Sequence, residues 1–164
     1  MTTDIHGCIE VRYPFADQDY WSDEEPWTVA MDLFPLLTDQ SYAAFGCLFG
    51  VRNHQGWIPV AEDRGMPADA STELRERVAS FEPSDIHGLT WVNWAELSDL
   101  DMAVRPPVET RGRREASGPV LTYGAPSRAE VIGPGSGWEH VFAVMKALAG
   151  RFGDEGVRLV VHFA

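Results

Sequence analysis

The chain has 164 residues, 45% of them hydrophobic, and a formal net charge of −12. That length suits one domain able to bury roughly 70% of its unfolded surface without metal or disulfide staples. The charge sets its surface against phosphate backbones, so general nucleic-acid binding is not expected. No run approaches the roughly 20 apolar residues that span a bilayer, so no membrane partner is expected either.

Met1-Thr2-Thr3-Asp4 has neither the basic start nor the apolar run of a signal peptide, which makes a cytoplasmic location the expectation. Cys8 and Cys47 then read as buried small hydrophobes, not as a disulfide framework.

From Ile5 to Tyr13 the chain alternates. Ile5, Ile9, Val11 and Tyr13 share one parity, and His6, Cys8, Glu10 and Arg12 the other. This predicts a strand with one buried face. Pro14 ends it, and an acidic loop with Asp17, Asp19, Asp23, Glu24 and Glu25 follows. Trp27 to Leu33 predicts a second strand, antiparallel to the first, with Trp27, Val29, Met31 and Leu33 on one face. Phe45 to Val51 is an apolar run broken by Gly46 and Gly50, and its length and glycines favour a buried strand, with a short helix the alternative that periodicity leaves open. Gly56 to Pro67 reads as loop. Ser71 can cap a helix that runs to Phe81 and sets Leu74, Val78 and Phe81 on one side. Leu89 to Val92 predicts a brief strand, and Trp94 to Leu100 a short helix.

Residues 105–119 read as a mobile loop, its arginines 105, 111, 113 and 114 diluted by Glu109 and Glu115. Glu130-Val131-Ile132 is a strand candidate. Ser136 and Glu139 have the spacing of a capping box at the head of a helix from Trp138 to Ala149, with Gly150 and Gly153 as its stop. Val157 to Phe163 alternates again and predicts a closing strand with Val157, Leu159, Val161 and Phe163 inward. The whole is expected to be a single α+β domain over residues 1–164, mainly an antiparallel sheet with one face covered by two or three helices.

Several short words invite chemistry. Asp4-Ile5-His6-Gly7 is similar to the first metal motif of calcineurin-type metallophosphoesterases, and Arg52-Asn53-His54 and Glu62-Asp63-Arg64-Gly65 are similar to two others. The Asn-His word here precedes the Asp-Arg-Gly word, the reverse of that family, so its ligands do not transfer. The tetrapeptide recurs at Asp85-Ile86-His87-Gly88. If folding joined the copies, Asp4, His6, Asp85 and His87, with Glu10 or His162, would offer carboxylate and imidazole to a water-activating metal. The plainer alternative sets His6 and Glu10 on the solvent face of a strand. Gly133 to Gly137 precedes a helix but lacks a phosphate-binding lysine, and a capped helix start explains it. No Gly-x-Ser-x-Gly elbow is present, catalytic residues are unassigned, and no cofactor is expected. Among the six tryptophans, Trp27 and Trp138 read as core, whereas Trp91 and Trp94 are candidates to stack on a planar ligand near His87.

Three segments carry a wider resemblance. Asp4-Ile5-His6-Gly7-Cys8-Ile9-Glu10-Val11-Arg12, Ala44-Phe45-Gly46-Cys47-Leu48-Phe49-Gly50-Val51-Arg52-Asn53 and His87-Gly88-Leu89-Thr90-Trp91 resemble a family of small actinobacterial and phage-encoded proteins. Val157 to Val161 resembles that family's end. The chain departs from it at Leu89, where the family often has a second histidine, which weakens a two-histidine site. The resemblance implies a phage or mobile-element accessory protein and implies no activity. The leading expectation is a non-catalytic accessory protein in phage–host conflict. It would bind a small, nucleotide-like ligand or a protein partner through His6, Glu10, Arg12, His87, Trp91 and Trp94. A metal-dependent hydrolase is the alternative, and an acidic interaction protein using Asp17 to Glu25 a third reading.

Overall fold

Alternation at the two ends of the chain builds the middle of one sheet. The computed structural model describes residues 2–14, 25–107 and 125–164. Strands β1 (Ile5–Arg12) and β4 (Val157–Phe163) pair antiparallel, from Ile5 opposite Phe163 to Val11 opposite Val157. β2 (Trp27–Asp32) flanks β1 and β3 (His87–Asn93) flanks β4, both antiparallel, giving the order β2-β1-β4-β3. The architecture is α+β, as the sequence pattern predicts. Among the described residues no helix is long and apolar enough to cross a membrane. The acidic positions 17–24, Trp21 and residues 108–119 of the expected mobile loop lie outside the described residues.

One face of the sheet carries the main core. Ile9, Val11, Val92, Leu159, Val161 and Phe163 pack against helices α2 (Tyr42–Phe49) and α6 (Trp138–Phe152). Phe163 meets Phe45 edge-on at 5.1 Å between ring centroids, a geometry that adds about 0.5–1.5 kcal/mol to plain burial. The short helices α1 (Leu33–Leu36), α4 (Trp94–Ser98) and α5 (Arg128–Ile132) each contribute buried residues to this layer.

Three local expectations are corrected. The run from Phe45 is helix α2 and not a strand: Ser41 Oγ accepts the Ala44 amide at 3.3 Å, and Gly50 ends the helix at φ 72°. The six residues Ala44 to Phe49 are all buried, so no polar stripe marks the helical period. Glu130 to Ile132 belongs to α5, because Ser127 and Glu130 close a reciprocal capping box ahead of it. The box expected at Ser136 does not form. Gly137 caps α6 at φ 92°, and the Glu139 carboxylate instead accepts the amides of Gly135 and Gly137 at 3.1 and 2.7 Å. That carboxylate fills the place an anionic ligand would take above the glycine loop.

The second face is not open to solvent. Helix α3 (Thr72–Ala79), capped by Ser71 Oγ on the Leu74 amide at 3.2 Å, lies across it. Cys8, Ala70, Leu74 and Val160 form a smaller core there, with Val29, Val78, Leu89 and Trp91 at its border. Register in β2 shifts beside Ile9 and Glu10, so the predicted single face divides. Trp27 and Val29 stand opposite Arg12 and Glu10 on the α3 side, and Met31 stands opposite Ile9.

Candidate functional site

The polar residues of the second face sort into a structural network and a cleft. The network begins at Glu10, fully buried on β1. Arg158, beside it on β4, donates from Nε to Glu10 Oε1 at 2.8 Å and from Nη1 to Asp69 Oδ1 at 2.8 Å. Its Nη2 also lies 2.7 Å from Glu10 Oε1, out of line for a hydrogen bond, so that contact is ionic. The guanidinium stacks 3.7 Å from the centre of the Trp27 ring, whose Nε1 donates to Asp69 at 2.9 Å. Burial works to raise the Asp69 carboxyl, but the bond and charge of Arg158 and the bond from Trp27 outweigh it and hold the group below its ordinary value. Glu10 Oε2 accepts the Ser71 amide at 3.0 Å, which ties the head of α3 to the sheet. A solvent-face position for Glu10 is therefore corrected: its carboxylate positions α3.

The cleft opens at the other end of α3. His6 and His162 are cross-strand partners on β1 and β4, and their rings stack at 5.2 Å with 20° between planes. Phe81, just past the end of α3, closes the trio at 4.9 Å from His6 and 4.7 Å from His162. The trio borders a cleft of about 520 Å³ whose other walls include Leu33, Leu74 and Val78. His162 is only 5% exposed, and its Nε2 is buried with no hydrogen-bond partner. Burial, with a smaller push from His6, brings the His162 pKa down to about 4, so its imidazole is neutral near pH 7. A buried polar atom without a partner costs about 1–3 kcal/mol, and a ligand that bonds to it recovers much of that.

No family model, curated protein or solved structure matches the chain. The site is thus read from its own geometry.

The two Asp-Ile-His-Gly words lie on either side of β4, which separates them. Ile5 and His87 both stand opposite Phe163. Side chains alternate along a strand, so His6 projects to the cleft side and His87 to the other, where its ring lies 6.1 Å from Phe163. Asp4 and His6 border the cleft; Asp85 and His87 do not. Among the described residues no three of His, Cys, Asp and Glu are grouped to hold a metal ion. Packing accounts for both glycines. A Cβ on Gly7 would collide with the Val160 carbonyl oxygen, and one on Gly88, at φ 65°, would lie 2.7 Å from Val51 and 2.9 Å from Phe163.

The six candidate ligand residues do not share one surface. His6 borders the cleft. Glu10 sits in the ion-pair network, and Arg12 lies opposite Trp27 at the far end of β1. Trp91, half-buried, carries Arg64 5.0 Å over its ring, and Arg64 is in turn salt-bridged to Glu96 at 2.6 Å. Trp94 packs on Phe142 in the helical layer, 6.3 Å between rings. Trp27 and Trp138 are buried, in agreement with the core reading. Sequence reasoning did not find Phe81, Arg77 or Asp32 as cleft residues, and took His162 only as a partner for the tetrapeptides. The signal available for His162 was its even parity in β4, shared with Arg158.

Proposed function

We propose that the protein is a non-catalytic binding protein that takes a small molecule in the cleft beside His6, His162 and Phe81. The observation that carries this reading is the buried, unpartnered Nε2 of His162 at the border of a largely apolar cavity. Cys8 also lines the cleft, but burial pushes its thiol up to about 12, so it is a poor nucleophile near neutral pH. The resemblance of three segments to phage-encoded proteins supports an accessory role in phage–host conflict as the setting for such binding.

The test pairs native mass spectrometry of freshly purified protein with a thermal-shift screen of small molecules. A bound mass or a stabilising compound is expected, and the response should vanish in Val78→Trp, which fills the cleft from its half-buried wall. If neither method finds a ligand, or if Val78→Trp binds as the wild type does, the reading fails.

A further inference from the structure

We infer that the cleft selects a small organic cation with an apolar, preferably aromatic, body. The inference rests on the binding reading above and adds the chemical class of the ligand. Three aspartates line the opening, Asp4, Asp32 and Asp39. Arg77 lines it too, but its guanidinium is spent twice, on Asp32 and on Glu73. Among the described residues no basic side chain pairs with Asp4 or Asp39. Both carboxylates are exposed, so their field favours an incoming positive charge. The net charge of −12 extends the same preference over the whole surface. A phosphate-bearing ligand would face the opposite field.

Deeper in, the chemistry changes. Leu33, Leu74 and Val78 are walls for an apolar body, and the Phe81 ring attracts a cation by its π-electrons. The neutral His162 ring offers its Nε2 lone pair to an ammonium or amidine N–H once the proton sits on the other ring nitrogen. Acidic rim, aromatic and aliphatic wall, and a buried acceptor thus act on one ligand in order of depth. The acids alone would specify nothing; the orphaned imidazole nitrogen makes the same opening a built site.

The experiment uses three probes that share one aryl body: phenethylamine as the cation, 2-phenylethanol as the neutral form and 3-phenylpropionate as the anion. Isothermal titration at low ionic strength should rank cation over alcohol over anion, with about a ten-fold span between the extremes. In Asp4→Asn/Asp39→Asn, two exposed substitutions, that span should shrink to about two-fold while alcohol binding stays unchanged. Equal affinity for all three, or preference for the anion, overturns the charge inference and leaves cleft binding in place. An unaltered span in the double variant overturns the role of the rim. Failure of all three probes, together with an empty result from the wider screen, overturns the binding reading itself.

Discussion

Changing Arg158 to methionine removes the cation from a carboxylate that has nowhere else to go. Glu10 is 0% exposed and Arg158 4%, so neither group can turn to water. In Arg158→Met, Glu10 keeps the Ser71 amide as its one remaining partner among the described residues and loses the 2.8 Å bond from Nε together with the ionic contact. Breaking one side of such a pair costs about 3–5 kcal/mol, because the surviving charge stays buried. Asp69, 55% exposed at its side chain, adds at most about 1 kcal/mol, since solvent screens what it loses. For a chain of this length that lowers the melting temperature by about 6–20 °C.

The double variant Glu10→Met/Arg158→Met isolates the cause. It removes both charges and fills their space with apolar atoms, leaving the Ser71 amide as the one new orphan, for about 1–3 kcal/mol. The double variant is therefore expected to be more stable than Arg158→Met alone. Urea unfolding followed by circular dichroism, with m-values compared across the set, measures this directly. If Arg158→Met lies within about 1 kcal/mol of the wild type, or the double variant is the weaker of the two, the buried pair does not hold α3 as argued.

Three further outcomes are expected. The His162 pKa falls from 6.5 to about 4 on folding, so the unfolded chain binds the extra proton between those values. Stability should be complete above pH 6.5 and drop by about 3 kcal/mol towards pH 4, a slope that His162→Phe should flatten in urea titrations at several pH values. Gly88→Ala should cost about 1–3 kcal/mol by thermal melting, because φ 65° and the close approach of Val51 and Phe163 leave no room for a Cβ. Cys8 and Cys47, with thiols pushed up by burial to about 12 and about 11, should resist an aromatic disulfide reagent in the native protein at pH 8 and react together once urea is added.

The two central strands were legible because their shared ladder obeys a period of two. Ile5 to Arg12 and Val157 to Phe163 alternate in sequence and pair in space, and Ser71 announces the helix it caps, accepting the Leu74 amide. The misreading of the Phe45 run has a plain physical source. Where an element is buried on every side, periodicity vanishes, and the Phe45 run then has only its ends to identify it. Ser41 and Gly50 are its helix caps, so one of the two glycines that suggested a strand is the C-terminal stop of a helix.

The site was harder because alternation says that two faces differ, not what lies over either. His6, Cys8 and Glu10 on β1 and Arg158 and His162 on β4 look like the wet side of a half-covered sheet. They become interior once α3 crosses them, and nothing in Thr72 to Ala79 names the sheet face on which it will land. Burial then assigns each polar group by its distance along α3. At the capped end Glu10 finds Arg158 and the Ser71 amide, and its charge is spent on the fold. At the far end α3 stops, Phe81 turns over the two imidazoles, and His162 is left enclosed with a nitrogen that nothing in the described structure bonds. The same helix that seals one end of the polar face thus creates the unsatisfied group at the other. A fold selected for stability alone would gain by replacing His162 with an apolar residue such as Phe. That buried nitrogen without a partner, beside the cleft, is the observation on which the proposed binding rests.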